Sequence, residues 1–357
     1  MAEFYTIVAR EKELPVAPPK PEDFTVEPAE GSDPARLLAE PGWSPYCFDG
    51  TDLWFTRLPD TDLAAVPFVF MSQFDRAEEF AKLSPAELVK ITEGLDTPKI
   101  AMIYSIGRCG TTLANHVLNA SPDVWCLSEP DVFDHVAKLG GDAETHHALA
   151  RFFHAIRTKP DATVLGIKYR SQSLFCAPAL HAAFPQSKNV FMYRDALGWG
   201  NSLFAFTAKL GLESPYVIDI IGFMWEMMVR EPVADAIARH TEFSGETVEP
   251  SVVYALLWQK HLNAYQAARA EGIPMVPIRY NEFNANREEG VRNLFAALGI
   301  PEIPADEAMR VFENDSQEGT IMGRVEKPPR LDEAQVALLH KTLADNSPLV
   351  SADTILD

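Results

Sequence analysis

From residue 99 onward, short apolar runs alternate with stretches whose apolar positions recur every three or four residues. Five runs read as buried strands: Ile100–Tyr104, Val124–Leu127, Thr163–Ile167, Val190–Tyr193 and Met275–Ile278. The 3.6-residue period predicts helices over Thr112–Asn119, Glu144–Arg157, Gly198–Leu210, Val217–Arg230, Val252–Ala270, Glu288–Leu298 and Asp332–Ala344. Strands alternating with helices argue for a parallel α/β sheet. Before residue 98 the pattern weakens. Pro15–Pro41 is rich in Pro, Glu and Asp and reads as an extended arm, whereas Trp43–Phe48 and Trp54–Phe55 supply apolar mass for burial. Pro67–Phe70 leads into a helix expected over Gln73–Lys82, and Ser84-Pro85-Ala86-Glu87 has the N-cap Ser, N1 Pro and N3 Glu of a helix start. The expected organisation is an irregular N-terminal extension, residues 1–97, packed on a main domain, residues 98–357.

The first of these strands leads into Ser105-Ile106-Gly107-Arg108-Cys109-Gly110-Thr111-Thr112 and then a helix. A strand, a glycine turn and a helix N-terminus make an anion site, because backbone N–H groups converge there and the helix dipole favours negative charge. A nucleoside triphosphate loop has four residues between its glycines and a lysine after the second. Here only Arg108 and Cys109 separate Gly107 from Gly110, and Thr111 stands in the lysine's place. The turn suits a smaller anion. The other strands end in Ser128-Glu129, in Lys168-Tyr169-Arg170, in Arg194-Asp195 and in Arg279-Tyr280 with Glu282. Ligands of open parallel sheets bind at the carboxyl ends of the strands. These ends are therefore expected to converge on one crevice.

Composition narrows the classes. A formal net charge of -20 argues against nucleic acid, membrane surfaces and polyanionic partners, all of which need basic patches. It leaves room for one basic pocket that takes an anionic ligand. Cys47, Cys109, Cys126 and Cys176 form no C-x-x-C pair, and no His, Cys or carboxylate spacing, His146-His147 and His261 included, matches a metal site. Sparse cysteine, no apolar h-region in the first residues and no run long enough for a membrane span give a cytoplasmic expectation. No pattern in the chain sets an oligomeric state.

The loop and a second anchor together resemble the PAPS-dependent sulfotransferase family, in its bacterial-type branch of unassigned acceptor. Arg108-Cys109-Gly110-Thr111-Thr112 is similar to that family's 5′-phosphosulfate loop, [KR]-x-G-T-T. Arg194, with Ser202 eight residues on, is similar to its 3′-phosphate motif. Gln317-Glu318-Gly319-Thr320 aligns more weakly with the Arg-Lys-Gly-Thr of the cytosolic branch. The resemblance spans residues 99–323. It implies a P-loop-like, three-layer α/β fold with a central parallel sheet flanked by helices, and sulfuryl transfer from 3′-phosphoadenosine 5′-phosphosulfate (PAPS) to a small-molecule acceptor without a metal. Gly107, Arg108, Cys109, Gly110, Thr111 and Thr112 would hold the phosphosulfate. Arg194 and Ser202 would hold the 3′-phosphate, with Gly319, Thr320 and Arg324 beside them. Leu113 stands where the cytosolic branch often carries an adenine-stacking tryptophan, and Gln317 and Glu318 replace its basic pair.

The expected general base is Glu129, because the following strand end carries Lys168 where the cytosolic branch has its histidine nearby, and no histidine is present there. His135 is the reserve base. Lys168 and Arg108 are the expected catalytic cations. Tyr280 with Glu282 reads as structural, and the Met and aromatic positions of Phe223–Met228 read as core. Two other classes fit a nucleotide-binding α/β fold: an ATP-dependent small-molecule kinase, which the missing loop lysine disfavours, and a non-catalytic nucleotide-binding protein, which Glu129 and Lys168 disfavour.

Overall fold

The computed structural model describes all residues except 213, 230, 314, 318, 324, 325, 347–352 and 357. Two five-stranded sheets organise it. The first is antiparallel and is built from β1 (Glu3–Arg10), β2 (Phe24–Pro28), β3 (Trp43–Phe48), β4 (Leu53–Arg57) and β5 (Glu79–Leu83), in the order β2-β1-β5-β4-β3. The second is parallel and is built from β6 (Lys99–Ser105), β7 (Val124–Ser128), β8 (Val164–Lys168), β9 (Lys188–Tyr193) and, after the short pair β10 (Tyr216–Val217) and β11 (Thr247–Val248), β12 (Val276–Arg279). Its order is β12-β9-β6-β8-β7.

The parallel sheet follows the apolar runs, and helices flank it. Helices Thr111–Ala120, Ala143–Ala155 and Arg287–Leu298 pack on its strands. From β6 the chain passes to the edge strand β7, returns to β8 beside β6, then crosses to β9 on the other side. The direction of winding therefore reverses around β6, and such a switch point opens a crevice at the carboxyl ends of the strands. The loop after β6 lies in that crevice, with the ends of β8 and β9 to either side.

The N-terminal residues differ from expectation. They form a regular sheet, not an irregular extension. The helix expected over Gln73–Lys82 ends at Arg76, and Glu79–Leu83 is instead the central strand of that sheet. Tertiary context decides this. Phe80 joins a small aromatic cluster with Phe24 and Tyr46, whereas Ala81 and Leu83 enter the main core. That two-residue alternation is available only to a strand held between β1 and β4. The Pro15–Pro41 arm likewise contributes β2. The sheet is joined to the main domain by a shared core, in which Phe55 meets Phe152 edge-on at 5.3 Å. No described helix is long and apolar enough to cross a membrane.

Candidate active site

The loop after β6 is held from outside. The indole of Trp199 donates to the carbonyls of Gly107 (3.0 Å) and Ile106 (3.2 Å), and the N–H of Gly107 donates to Ser105 Oγ at 3.2 Å. Gly107 and Gly110 have φ of +72° and +79°. At Gly110 the ring of Tyr280 lies 2.5 Å from where a Cβ would be, so any side chain there collides. Gly110 is also the N-cap of helix Thr111–Ala120, and it brings no side-chain cap. Among the described residues the first N–H groups of that helix therefore have neither an intrahelical nor a side-chain acceptor. Cys109 contributes backbone only. Its thiol donates to the Met192 carbonyl at 3.1 Å, and burial pushes it up to about 11.

Two arginines converge beside this helix end. Arg108 Nε donates to Ser202 Oγ at 3.2 Å, and its guanidinium lies 5.5 Å from the Phe206 ring. Burial, reinforced by the like charge of Arg194, holds Arg108 below its ordinary range. Arg194, at the end of β9, lies over the Tyr280 ring at 5.1 Å, and its buried Nε has no partner. Among the described residues neither guanidinium forms an ion pair, although the cations on the far side of the cavity do. Gln317 Nε2 donates to Thr112 Oγ1 at 3.2 Å and so ties its own segment to the loop helix.

On the far side the charges are matched. Glu129 follows β7 and its N–H extends the ladder to the Lys168 carbonyl at 2.7 Å. Its carboxylate is ion-paired to the buried Lys168, whose Nζ lies 5.1 Å from the Phe68 ring. Arg170 Nε is 3.9 Å from the second Glu129 oxygen. The Arg170 Nη1 binds Asp131 at 2.9 Å, Nη2 donates to the Val16 carbonyl at 2.5 Å, and the group lies 4.6 Å from the Phe70 ring. Burial opposes the Arg170 charge, but Asp131 and Glu129 outweigh it and raise its pKa.

Arg108 and Glu129 are the two non-glycine residues with positive φ among those described, +53° and +60°. Each such conformation costs about 1–3 kcal/mol. Both line one cavity of about 270 Å³, which also takes in Gly110, Thr111, Lys168 and Arg194. A second cavity of about 500 Å³ adjoins it across Arg108, Arg194, Ser202 and Gln317, with Lys209 and Arg330 on its wall.

The sequence-derived residues thus divide. Gly107, Arg108, Gly110, Thr111, Thr112, Glu129, Lys168, Arg194 and Ser202 line the first cavity. His135 does not: it is buried in helix Val132–Lys138, where burial drives its pKa down to about 4. Gly319 and Thr320 lie off both cavities, and the Thr320 hydroxyl instead closes its own turn on the Gln317 carbonyl at 2.8 Å. Arg324 lies outside the described residues. Tyr280 proves to be a cavity residue as well as a packing one, and Met227 and Met228 reach the cavity while Trp225 is core. Sequence reasoning missed Val16, Phe68, Phe70 and Met71 from the N-terminal region. An apolar run carries no chemical signature, so only the fold reveals their role. Among the described residues no group of three or more His, Cys, Asp or Glu side chains is arranged for a metal ion.

No family model matches the chain, and no curated protein matches it. Among solved structures it is similar to a sulfotransferase from Alicyclobacillus acidocaldarius, at 17% identity and a TM-score of 0.37 over 70% of this chain and 93% of that one. It is similar to sulfotransferase STF9 from Mycobacterium avium, at 13% identity and a TM-score of 0.41 over 73% and 78%. It is also similar to mouse sulfotransferase SULT7A1 complexed with PAP, at 14% identity and a TM-score of 0.34 over 65% and 70%. At these values the likeness carries no argument about activity.

Proposed function

We infer that this chain is a sulfotransferase that moves a sulfuryl group from PAPS to a hydroxyl, ahead of an amine, of a small-molecule acceptor. One observation carries the reading. A single cavity gathers a helix N-terminus whose N-cap is a glycine, two arginines that form no ion pair among the described residues, and the ion pair of Glu129 with the buried Lys168.

The residues suit a donor with two separate anionic groups. The N-terminus of helix Thr111–Ala120, with the Thr111 and Thr112 hydroxyls, would hold the 5′-phosphosulfate. Arg194 and Ser202 would hold the 3′-phosphate, and the orphaned, buried Nε of Arg194 is a donor that such a group would satisfy. The donor supplies an activated sulfuryl group on a phosphate leaving group. Arg108, poised between these two subsites, would offset charge on that leaving group. Lys168 would do so on the sulfuryl oxygens. Glu129 would take the acceptor proton. At 3.9 Å, Arg170 stands beyond hydrogen-bond distance of its second oxygen, which leaves that oxygen free to accept from a hydroxyl. The strained φ of Glu129 and Arg108 fits residues held in place for such roles. A cytoplasmic setting suits a chain in which none of the four cysteines forms a disulfide.

Thermal unfolding with 3′-phosphoadenosine 5′-phosphate, ATP and ADP in parallel tests the reading. The bisphosphate at 100 times its dissociation constant should add about 2.7 kcal/mol of stability. Stabilisation by ATP and not by the bisphosphate overturns the reading in favour of a kinase.

A further inference from the structure

We propose that the N-terminal sheet unit is the acceptor-selecting part of this molecule, and that its wall admits an uncharged apolar alcohol or phenol in preference to a charged one. The proposal rests on the sulfotransferase reading for the word acceptor, but its evidence is separate.

Four cavity residues come from this unit: Val16, Phe68, Phe70 and Met71. Val16, Phe68 and Phe70 are almost fully buried, and Met71 is half-buried. Val16 sits in a strap between β1 and β2 that is fastened at two points. Lys12, at the start of the strap, is buried and pairs with Asp23 at 3.3 Å. The Val16 carbonyl receives the Arg170 guanidinium. The strap, the ring of Phe70 and the end of β8 therefore form one piece, so this wall is a fixed part of the cavity.

Its charge decides what it accepts. Lys168 is paired with Glu129 and covered by Phe68. Arg170 is paired with Asp131, bonded to Val16 and covered by Phe70. Each buried cation on this side has its carboxylate, so neither sign of charge is left over. A carboxylate or ammonium on the acceptor would lose its water and find no unpaired counter-charge, and an ion buried in that way is strongly disfavoured. A hydroxyl needs only the free Glu129 oxygen, and the rest of an apolar molecule gains by leaving water against Phe68, Phe70 and Met71. Anionic groups are drawn instead to the opposite side, where Arg108 and Arg194 form no ion pair among the described residues.

Calorimetric titration of the full chain at pH 7 with 4-ethylphenol, 4-hydroxybenzoate and tyramine tests this, since the three share a phenol and differ in charge. With the bisphosphate present at saturation, so that Arg108 and Arg194 are occupied, 4-ethylphenol should bind at least tenfold more tightly than either charged analogue. Phe70→Leu and Met71→Ser should each weaken 4-ethylphenol several-fold and leave the bisphosphate affinity as in the parent chain. The Met71 variant keeps the test valid if Phe70→Leu does not fold. Equal or tighter binding of tyramine, or of 4-hydroxybenzoate in the presence of the bisphosphate, no binding of 4-ethylphenol, or binding that neither variant changes overturns the proposal. Selective, Phe70-dependent binding of 4-ethylphenol without any binding of the bisphosphate supports the proposal and overturns only the donor reading.

Discussion

The two sides of the cavity solve opposite electrostatic problems. Around Arg108 and Arg194 no ion pair forms among the described residues, beside a helix end whose N-cap Gly110 brings no side chain. Around Glu129 every buried cation is matched by a carboxylate and covered by an aromatic ring. On the proposed reading the first arrangement is completed when an anion binds. The second is self-sufficient and holds its shape with nothing bound. One side would thus suit a ligand that brings charge, the other one that brings none. In a chain with a net charge of -20, Arg108 and Arg194 nonetheless form no ion pair among the described residues, and on the proposed reading this is where an anion would bind.

Substitutions on the two sides should therefore fail in different ways. The largest effect is expected at Glu129. Glu129→Gln should lower turnover by about 100- to 10,000-fold, as loss of a general base does, while bisphosphate binding persists; full activity would move the base elsewhere. Next comes Arg170→Ala, which leaves Asp131 buried without its partner and should cost about 3–5 kcal/mol in denaturant unfolding. Arg194→Ala should do the reverse. It breaks no ion pair among the described residues, so the midpoint of unfolding of the apo protein should hold or rise, while the bisphosphate loses roughly 1.5–3 kcal/mol of binding, about 10- to 150-fold. If Arg194→Ala instead unfolds the protein and Arg170→Ala spares it, the contrast between the two sides is wrong.

The smallest expected effect is at His135, off the cavity. Its folded pKa, about 4 through burial, lies below the ordinary value of 6.5. The unfolded state therefore binds the extra proton first. The stability that the neutral ring contributes is fully present above pH 6.5 and is lost as pH falls from there toward 4. His135→Gln should flatten the decline of stability across that window and leave turnover at pH 7 unchanged. Loss of turnover in this variant would restore His135 as a candidate base.

The fold was legible where burial was uniform. Buried parallel strands are continuous apolar runs that stop at polar residues, so the ends of β6, β7, β8, β9 and β12 stood out in the sequence, and with them Glu129, Lys168 and Arg194. The N-terminal sheet was hidden for the opposite reason. Its strands bury different residues on two faces, β3 carries Pro45, and β5 has a composition that suits a helix until its neighbours are in place. The site followed the same division. The anion side consists of residues with charge and glycine spacing. The neutral side depends on which carboxylate meets which cation, such as Asp131 with Arg170, and on rings delivered from nearly 100 residues away. Pairings of that kind are set by topology and leave no local pattern. His135 misled because a histidine six residues past Glu129 reads the same whether it faces a cavity or a core.

Arg108 and Arg194, which form no ion pair among the described residues, are proposed to take a ligand with two anionic groups. Titrating 3′-phosphoadenosine 5′-phosphate into the parent chain and into Arg194→Ala, with ATP as the competing ligand, tests this most directly. The account predicts one site per chain, tighter for the bisphosphate than for ATP and weakened at least tenfold by Arg194→Ala. Binding of ATP in preference to the bisphosphate, or bisphosphate affinity that Arg194→Ala leaves unchanged, would contradict it.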